Sequence, residues 1–377
     1  MKKLDLEVLK NKVREIAEYD LDNGKVFGSA YIVTDKNGVV FSECFGSSAK
    51  DKNIPVNERT IYRIASMTKP VTAVATLILV DRGLVSLDDP VDKYIPELSE
   101  KKITTITDGN LTECGMASRV PTIAEILSHS SGIGSDLGGK MAIATDLDKS
   151  TISNTVKFLA SVGLDFEPGT RAQYSSTAAF DVIACIAELV TGVDYRTFLK
   201  REIFEPLGML DTDFLPTEEQ WSRFIEMHTK VNGVAAVRKM CDGCVFTDYP
   251  ATRSVAGAGL FSTVSDYALF AKMLLNKGLA ENKRIIDDKT LSLINEPRIS
   301  TSDPRNYWGL AVRVVVDAGY PYLPVGSYGW SGAYGSHFWV DPENEIAAVF
   351  MKNSCFDGGA SNESALNFER AVHDSLK

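Results

Sequence analysis

The sequence predicts an α+β fold, a sandwich in which helices flank one antiparallel sheet built from the amino- and carboxy-terminal segments, with a mainly helical domain inserted between them. Three observations support this fold class. Runs of β-branched and aromatic residues occur near the amino terminus, similar runs return in the last third of the chain, and the segment between them has mainly helical periodicity. We therefore expect a discontinuous sheet domain formed by residues 1–85 and 255–377, a helical domain formed by residues 86–254, and an active site in the cleft between the two.

The amino-terminal segment predicts a helix followed by a hairpin. Apolar residues recur at helical spacing at four positions, Leu6, Leu9, Val13 and Ile16. Two strand-like runs then flank the turn Lys36-Asn37-Gly38, because Asn-Gly is a strong hairpin signal. A long apolar helix is expected between Ser66 and Gly83, and Gly83 marks its end.

Helical patterns dominate the middle of the chain. Thr122 and Glu125 form a capping-box pattern, which predicts the start of a short helix. Three further stretches have helical character, namely residues 156–162, 178–190 and 195–203. The polar segment 104–120 has neither the helical nor the strand periodicity, and we expect an irregular insertion there.

The last third of the chain predicts the other half of the sheet. A helix is expected to begin at Ser262 or Thr263 and to end at Gly278. The β-branched and aromatic runs that follow are divided by Gly, Pro, Asp and Asn, and they predict about three antiparallel strands. A final helix over residues 362–375 completes the sheet domain.

Charge and hydropathy exclude several classes of protein. The chain has 377 residues and a formal net charge of -10, which argues against a nucleic-acid surface and against docking on anionic lipid. Its longest apolar run, residues 71–80, is about half as long as a bilayer requires. The amino terminus has no apolar stretch of the signal-peptide type, so we expect a cytoplasmic protein.

The six cysteines do not predict a metal site. Cys241 and Cys244 form the only C-x-x-C pair, whereas a zinc site needs about four ligands, and the sequence has no second pair or neighbouring histidine cluster. Two free thiols in a loop are the favoured interpretation, and a redox pair is the alternative.

Ser66 and Lys69 open the long apolar helix and share one of its faces, because they are three residues apart. A serine hydroxyl needs an adjacent base to become a good nucleophile, and a protonated lysine cannot be that base. Burial in the apolar start of the helix favours the neutral amine, and the positive end of the helix dipole stabilises a developing alkoxide. The same S-x-x-K spacing begins at Ser47 and at Ser99, but in polar segments that do not open an apolar helix.

Two other segments could complete such a site. Tyr174 lies in a turn-rich stretch before a helix, and its phenol can exchange a proton beside a cation such as Lys69. The run of small residues after Trp330 lies in a strand-like context and lets a ligand approach closely. The amide of Ala333 and that of Ser66 would then form a two-donor oxyanion hole. A core aromatic and a β-bulge are the alternative interpretations of these two segments.

Three short motifs resemble, in this order, the signature elements of the serine β-lactamase and penicillin-binding-protein superfamily, class C type: Ser66-Met67-Thr68-Lys69, Tyr174-Ser175-Ser176 and Trp330-Ser331-Gly332. Flanking runs such as ILSHSSGI and PGTRAQYSS match as well, and the likeness extends over nearly the whole chain. The resemblance implies a β-lactamase/transpeptidase-like fold in which Ser66 is the acylated nucleophile and Lys69 and Tyr174 shuttle its proton. It also implies an oxyanion hole from the amides of Ser66 and Ala333, no metal or organic cofactor, and substrate contacts from Ser176, Trp330, Ser331 and Gly332.

Two departures from the superfamily pattern narrow the expected substrate. Ser176 replaces the usual Asn of the second motif, and Trp330 replaces the Lys whose charge meets the substrate carboxylate. A tryptophan has an apolar face and one N–H but no charge, which favours an uncharged ester. In this respect the sequence resembles the family VIII carboxylesterases. We expect an enzyme that cleaves small-molecule acyl esters through an acyl-serine intermediate.

Other functions stay open at this point. A β-lactamase, or a D-amino-acid peptidase or amidase, would use the same nucleophile on an amide, and a non-catalytic scaffold or binding protein would retain only the fold. A Ser-His-Asp triad can also be imagined with His337 and Asp341, but the sequence has no G-x-S-x-G elbow to carry its serine. His129 is expected to hold a turn through hydrogen bonds.

Overall fold

The structure is a computed structural model that describes residues 3–100, 102–134, 151–238, 253–281, 283–355 and 362–377. In chain order, its strands are β1 (Gly28–Asp35), β2 (Val39–Ala49), β3 (Lys52–Pro55), β4 (Tyr62–Arg63), β5 (Lys102–Thr107), β6 (Asn110–Met116), β7 (His228–Val231), β8 (Val234–Val237), β9 (Phe261–Ser262), β10 (Leu279–Ala280), β11 (Lys283–Arg284), β12 (Ile299–Ser300), β13 (Asn306–Trp308), β14 (Arg313–Val315), β15 (Tyr328–Ser331), β16 (His337–Asp341) and β17 (Ile346–Met351).

The α-helices of the described residues are α1 (Leu6–Asp22), α2 (Thr68–Asp81), α3 (Ile123–Leu127), α4 (Ile152–Val162), α5 (Ala178–Thr191), α6 (Tyr195–Leu199), α7 (Glu205–Leu207), α8 (Glu218–Ser222), α9 (Val264–Leu275), α10 (Asp288–Leu291) and α11 (Glu363–Asp374). A π-helical turn over Lys200–Phe204 joins α6 to α7, and short 3-10 turns occupy Ala65–Met67, Val91–Lys93, Pro96–Ser99 and Ser292–Asn295.

The main sheet has nine strands in the order β12-β13-β14-β15-β16-β17-β1-β2-β3. The amino-terminal strand β1 pairs antiparallel with the carboxy-terminal strand β17, with Ala30 opposite Met351. On its other edge β1 pairs with β2 through the predicted hairpin. The predicted fold class, an antiparallel sheet built from both ends of the chain with helices against it, is therefore confirmed.

Alternate residues of the central strands serve two separate hydrophobic cores. Tyr31 and Val33 face α1 and α11, where they pack with Leu9 and Phe368 in the smaller core. The intervening Ile32 faces the opposite side, where the larger core contains α2, α5 and α9. This period of two is the one expected for a sheet buried on both faces. It decides on which side of the sheet each residue of β15 lies.

Several helices begin and end as their sequence signals predict. Thr122 and Glu125 form the predicted capping box of α3, and of the two candidate caps Thr263 is the one that caps α9, accepting a hydrogen bond from the amide of Asp266. The helix α9 ends at Leu275, before the predicted stop at Gly278. In the part of the chain that the structure describes, no helix is both long enough and apolar enough to cross a membrane.

The sheet and the insertion differ in two places from what the sequence predicts. The segment 104–120 is largely an ordered hairpin, because β5 and β6 pair in antiparallel fashion around Asp108 and Gly109. Both turn residues have positive φ, 51° and 75°, which Asp-Gly adopts readily in a hairpin turn. The last third of the chain contributes six strands to the main sheet rather than about three, since strands of two or three residues carry little pattern.

The larger core does not stop at the expected domain boundaries. It joins Val74 of α2 and Phe270 of α9 to Phe180 of α5, so residues of both expected domains share one apolar cluster. The boundaries at 85/86 and 254/255 stay a prediction. Cys241 and Cys244 lie outside the described residues.

Candidate active site

Ser66 lies in the 3-10 turn Ala65–Met67 that connects β4 to α2. Ala65 has a φ of 44°, a left-handed conformation that is costly for a residue with a Cβ and that clusters at functional sites. The hydroxyl of Thr68 donates a hydrogen bond to the Ala65 carbonyl at 2.7 Å, and the Tyr267 hydroxyl donates to the Met67 carbonyl at 2.8 Å. The turn is therefore fixed on both sides of the half-buried Ser66.

Lys69, in the first turn of α2, is completely buried and lies against Ser66. Its Nζ is 3.3 Å from Ser66 Oγ, 2.6 Å from the carbonyl oxygen of Ser176 and 2.8 Å from that of Gly257. Burial lowers the pKa of Lys69. A neutral amine can donate its two N–H groups to the two carbonyls, which leaves its lone pair for the Ser66 hydroxyl. The arrangement thus suits Lys69 as a base for Ser66.

The carbonyl of Gly257 is held in place by a buried ion pair. Asp181 of α5 accepts a hydrogen bond from the amide of Ala256 at 3.0 Å, and its other oxygen is 3.0 Å from the guanidinium of Arg253. Burial raises the pKa of Asp181, although the charge of Arg253 acts in the opposite direction. The ion pair therefore anchors the segment that receives one N–H of Lys69.

Tyr174 completes the group beside Lys69. Its ring centroid is 4.8 Å from Lys69 Nζ, and its hydroxyl oxygen accepts a hydrogen bond from Trp330 Nε1 at 3.2 Å. Because this bond uses a lone pair of the phenol, the O–H proton stays available to a base or a leaving group. The rings of Tyr174, Trp308 and Trp330 lie together, with 4.5 Å between the centroids of the two tryptophans.

His129 packs against the ring of Tyr174 and binds the backbone on both sides of it. Its Nδ1 accepts a hydrogen bond from the amide of Ser175 at 3.2 Å, its carbonyl accepts one from Gln173 at 2.9 Å, and its ring centroid is 4.5 Å from that of Tyr174. Burial lowers the pKa of His129 well below its ordinary value. A neutral His129 thus holds the Gln173–Ser175 segment through hydrogen bonds, the kind of role the sequence predicts.

Gly332 lets the end of β15 pack directly against the nucleophile turn. A Cβ at Gly332 would overlap the carbonyl oxygen of Ile64, two residues before Ser66. Ala333 follows in an exposed turn. Within the described residues, the amides of Ser66 and Ala333 donate no backbone hydrogen bond. Both N–H groups are therefore free to serve as the predicted oxyanion donors, a role that stays a prediction.

Of the residues that the sequence predicts as substrate contacts, Ser331 has its hydroxyl engaged elsewhere and Ser176 has its carbonyl engaged by Lys69. The Ser331 hydroxyl is 2.6 Å from His337 Nδ1 and only 3% of the residue is exposed. Ser176 is exposed, and its carbonyl accepts the hydrogen bond from Lys69. A substrate contact from Ser331 would have to come from its backbone, because its side chain points away from Trp330 on the alternating strand.

The imagined Ser-His-Asp triad does not form. His337 Nε2 is 2.9 Å from Glu369 rather than from Asp341, and the carboxylate of Asp341 accepts hydrogen bonds from Asn344 instead. His337 is 1% exposed, so it cannot reach a substrate. Across the ranges that the structure describes, no cluster of three or more His, Cys, Asp or Glu side chains could hold a metal ion.

The sequence did not single out Gly257, Trp308 or the Asp181–Arg253 pair. Asp181 carried a usable signal, because it is a charged residue in an otherwise apolar helix and such residues are seldom buried without a partner. Gly257 and Trp308 carried none, since a backbone carbonyl leaves no trace in the sequence and a tryptophan near a strand is usually a core residue.

Comparisons with known proteins bear on the family and the fold of this chain. The sequence model of the Beta-lactamase family matches residues 11–367. The esterase EstB of Burkholderia gladioli is 25% identical over 387 residues, which cover 94% of this chain and 93% of EstB. The N-acetylmuramyl-L-alanine amidase of Bacillus subtilis strain 168 is 26% identical over 373 residues, which cover 91% of this chain and 80% of the amidase. The solved structure of EstCE1, a hydrolase with promiscuous acyltransferase activity, shares the fold with a TM-score of 0.82 and 22% identity, over 97% of this chain and 99% of EstCE1.

Proposed function

The chain belongs to the beta-lactamase family, and from that premise we propose that it is a serine hydrolase, a carboxylesterase that cleaves small uncharged acyl esters through an acyl-Ser66 intermediate. The observation that carries the proposal is the contact between Ser66 Oγ and the buried Nζ of Lys69, 3.3 Å apart. Covalent catalysis by serine requires a base within hydrogen-bond reach of the hydroxyl, and burial lowers the pKa of Lys69, which favours the neutral form that can act as one.

Acylation would begin as Lys69 takes the hydroxyl proton of Ser66 and Ser66 Oγ bonds to the ester carbonyl carbon. The carbonyl π electrons move to the oxygen, which the amides of Ser66 and Ala333 stabilise. When the tetrahedral intermediate collapses, the bond to the alcohol oxygen breaks and Tyr174 gives that oxygen a proton. Lys69 then returns a proton to Tyr174, which leaves acyl-Ser66 and a neutral base.

Deacylation repeats these steps with water as the nucleophile. The Tyr174–Lys69 pair accepts a proton from the water, whose oxygen bonds to the acyl carbon. The bond to Ser66 Oγ then breaks and Ser66 recovers its proton from the same pair. One ester and one water are converted to one acid and one alcohol, and the protein groups return to their starting protonation states.

Trp330 supports an uncharged ester over a substrate with a carboxylate. The only polar hydrogen of the Trp330 side chain is donated to the Tyr174 hydroxyl. The rest of this side chain is an apolar surface next to Trp308. A carboxylate placed against this surface would lose water without gaining a cation. EstB, a relative that is named an esterase and is similar over nearly its whole length, also supports an ester substrate.

Amide hydrolysis is the second candidate, because one relative is named an amidase and the same nucleophile would serve. A non-catalytic scaffold is the third, but a scaffold would have no reason to keep Lys69 buried beside Ser66, since burial of an amine costs folding free energy. The cytoplasmic location stays a prediction.

The decisive experiment is hydrolysis of short-chain p-nitrophenyl esters by the wild type and by Ser66→Ala. We expect the substitution to lower kcat by about 1,000-fold or more, because the covalent route is lost. Ser99→Ala is the matched control, since Ser99 begins another S-x-x-K spacing that is exposed on the surface, and it should retain full activity. Equal activity of Ser66→Ala and the wild type would remove Ser66 from the mechanism.

Substrate class is tested in parallel with nitrocefin and with an N-acyl amide. We expect kcat/KM for the p-nitrophenyl ester to exceed that for either amide. Turnover of nitrocefin as fast as that of the ester would replace the esterase proposal with the β-lactamase alternative. A fluorophosphonate that never adds its mass to Ser66 would favour the non-catalytic scaffold.

A further inference from the structure

A buried chain of hydrogen bonds lies behind the active-site strand β15. Ser331 Oγ is 2.6 Å from His337 Nδ1, His337 Nε2 is 2.9 Å from Glu369 Oε1, and the guanidinium of Arg313 is 3.2 Å from the same carboxylate oxygen. Ser331, His337 and Glu369 are each at most 3% exposed. The chain links α11 to β14, β15 and β16, and the mechanism above uses none of its side chains.

The hydrogen bonds of this buried chain have one favoured order of donors and acceptors. When His337 Nε2 donates its N–H to the Glu369 carboxylate, Nδ1 is the ring nitrogen left to accept a hydrogen bond from the Ser331 hydroxyl. Burial alone would raise the pKa of Glu369, but the hydrogen bond from His337 and the charge of Arg313 hold it below its ordinary value. The Glu369 carboxylate and the Arg313 guanidinium thus compensate each other's charge, and the orientation of the Ser331 hydroxyl follows from them.

The pairing of β15 with β16 shows where the backbone of Ser331 points. Ser331 lies opposite His337, and the amide of the next residue, Gly332, donates to the carbonyl of Ser336 at 2.8 Å. Backbone groups of successive residues in an antiparallel strand point to opposite edges. The N–H and C=O of Ser331 therefore point away from β16, and the close side-chain contact fits a pair that does not exchange backbone hydrogen bonds.

The edge toward which Ser331 points is open. The strand β14 pairs with β15 only as far as Arg313 opposite Gly329. Beyond Gly329, the described backbone provides no hydrogen-bond partner on that edge for Ser331. The same end of β15 packs on Ile64, two residues before the nucleophile. An open strand edge beside Ser66 is a place where the carbonyl end of a bound ester can meet backbone groups.

We propose that His337 is a positioning residue for ester hydrolysis, which holds Ser331 from behind so that the backbone of Ser331 and of the turn after it faces the acyl group on Ser66. This inference rests on the proposed function, because it assigns a role within that site. His337 never touches the substrate, and its effect passes through the Ser331 hydroxyl. The contact with Glu369 serves the stability of the fold, whereas the contact with Ser331 serves the rate of hydrolysis.

Two substitutions at His337 separate these contacts. In His337→Asn the side-chain oxygen can take the place of Nδ1 and accept the Ser331 hydroxyl, while the contact with Glu369 is lost. In His337→Gln the amide nitrogen can take the place of Nε2 and donate to Glu369, while the contact with Ser331 is lost. We expect His337→Gln to lower kcat about tenfold, the equivalent of one ordinary hydrogen bond, with KM nearly unchanged. We expect His337→Asn to keep most of kcat but to lower Tm more.

Ser331→Ala and Ser331→Thr provide the second pair and change the network little. Ser331→Ala removes only the hydroxyl and should match His337→Gln, whereas Ser331→Thr keeps a hydroxyl and should restore kcat. The proposal is overturned if the loss of kcat in these four variants simply parallels their loss of Tm, whichever contact is removed. It is also overturned if Ser331→Ala retains the kcat of the wild type.

Failure of the proposed function would be recognised separately. In that case Ser66→Ala, measured beside these variants, would keep its activity, whatever the Ser331 variants show. If Ser66→Ala is inactive while Ser331→Ala and His337→Gln equal the wild type, the esterase proposal stands and the positioning role of His337 is rejected.

Discussion

Lys69 shows how a single residue obtains its chemistry from its surroundings. An exposed lysine is protonated at neutral pH, but Lys69 is completely buried, and its N–H groups are received by two uncharged carbonyls. Carbonyl oxygens accept hydrogen bonds without adding the negative charge that would hold a proton on the amine. The residue can thus be a base next to Ser66.

This environment predicts the pH dependence of the reaction. The pKa of Lys69 is lowered from 10.5 by burial, and only the neutral amine can accept the proton of Ser66. We expect kcat/KM to rise with pH as Lys69 loses its proton and to reach a plateau below the range in which an exposed lysine titrates. The measurement is a pH profile of kcat/KM for a short p-nitrophenyl ester, corrected for spontaneous hydrolysis.

Lys69→Arg is the control for that profile. An arginine stays protonated in proteins, so it cannot act as a base at any accessible pH. We expect this variant to be nearly inactive, without a recovery at high pH. A rise in the wild-type profile near pH 10, the value of an ordinary lysine, would contradict the role of the buried neutral amine.

Trp330 contributes one hydrogen bond that can be removed alone. Trp330→Phe keeps an aromatic surface but deletes the N–H that donates to the Tyr174 hydroxyl. We expect kcat for ester hydrolysis to fall by about three- to tenfold, the value of one hydrogen bond to an uncharged group. Tyr174→Phe and the double variant complete the measurement, since the effect of Trp330→Phe should vanish when the tyrosine hydroxyl is already absent.

At the scale of elements, the site depends on the contact between the end of β15 and the turn that carries Ser66. This contact is possible because position 332 has no side chain. The strand alternates its residues between Trp330, which faces the site, and Ser331, which faces α11. A small displacement of this strand end would therefore move the Ala333 amide and the Trp330 indole together.

Gly332→Ala tests this packing. Its Cβ would overlap the backbone oxygen of Ile64, and backbone atoms cannot move away as a flexible side chain can. We expect kcat/KM to fall by about 100-fold, the effect of a displacement of about 1 Å at a catalytic site. Gly38→Ala is the matched control, because a Cβ there meets no atom within 4 Å. Equal activities of the two variants would show that β15 does not need this close approach.

At the scale of the whole molecule, the sheet separates the site from a second core. The larger core beneath the site includes α2, α5 and α9. The smaller core on the other face contains residues of α1 and α11, and these helices pack on each other as well as on the sheet. Apart from the Ser331–His337–Glu369 hydrogen bonds, which reach the strand end beside the site, apolar residues of the smaller core should affect stability and not catalysis.

Leu9→Ala is expected to destabilise the protein without changing its chemistry. Leu9 of α1 is fully buried in the smaller core, and a buried Leu→Ala change costs about 2–5 kcal/mol. Thermal unfolding should show the lower Tm, while kcat and KM of the folded fraction should equal those of the wild type. A loss of kcat at a temperature where the variant is fully folded would mean that the two cores are coupled.

Much of the fold could be predicted because its signals are local. The Asn37-Gly38 turn, the Thr122–Glu125 capping box and the apolar spacing of α1 each act within a few residues, and the structure contains all of them. The hairpin β5–β6 was missed although Asp108-Gly109 is a turn signal, because β6 is exposed along its whole length and β5 is only partly buried. Short strands such as β12, with two residues, were missed because an alternation needs more residues to be recognised.

The sequence by itself determined that Ser66 and Lys69 share a helix start, since a separation of three residues fixes that geometry locally. Only the tertiary structure decided that Lys69 lies against the carbonyls of Ser176 and Gly257, and that the Ser331 hydroxyl binds His337 instead of facing the cleft. These contacts join residues that are distant in the chain or depend on the pairing of two strands. The spacing of Ser66 and Lys69 in the sequence is enough to place them together. Burial and strand register arise only when the whole sheet is assembled.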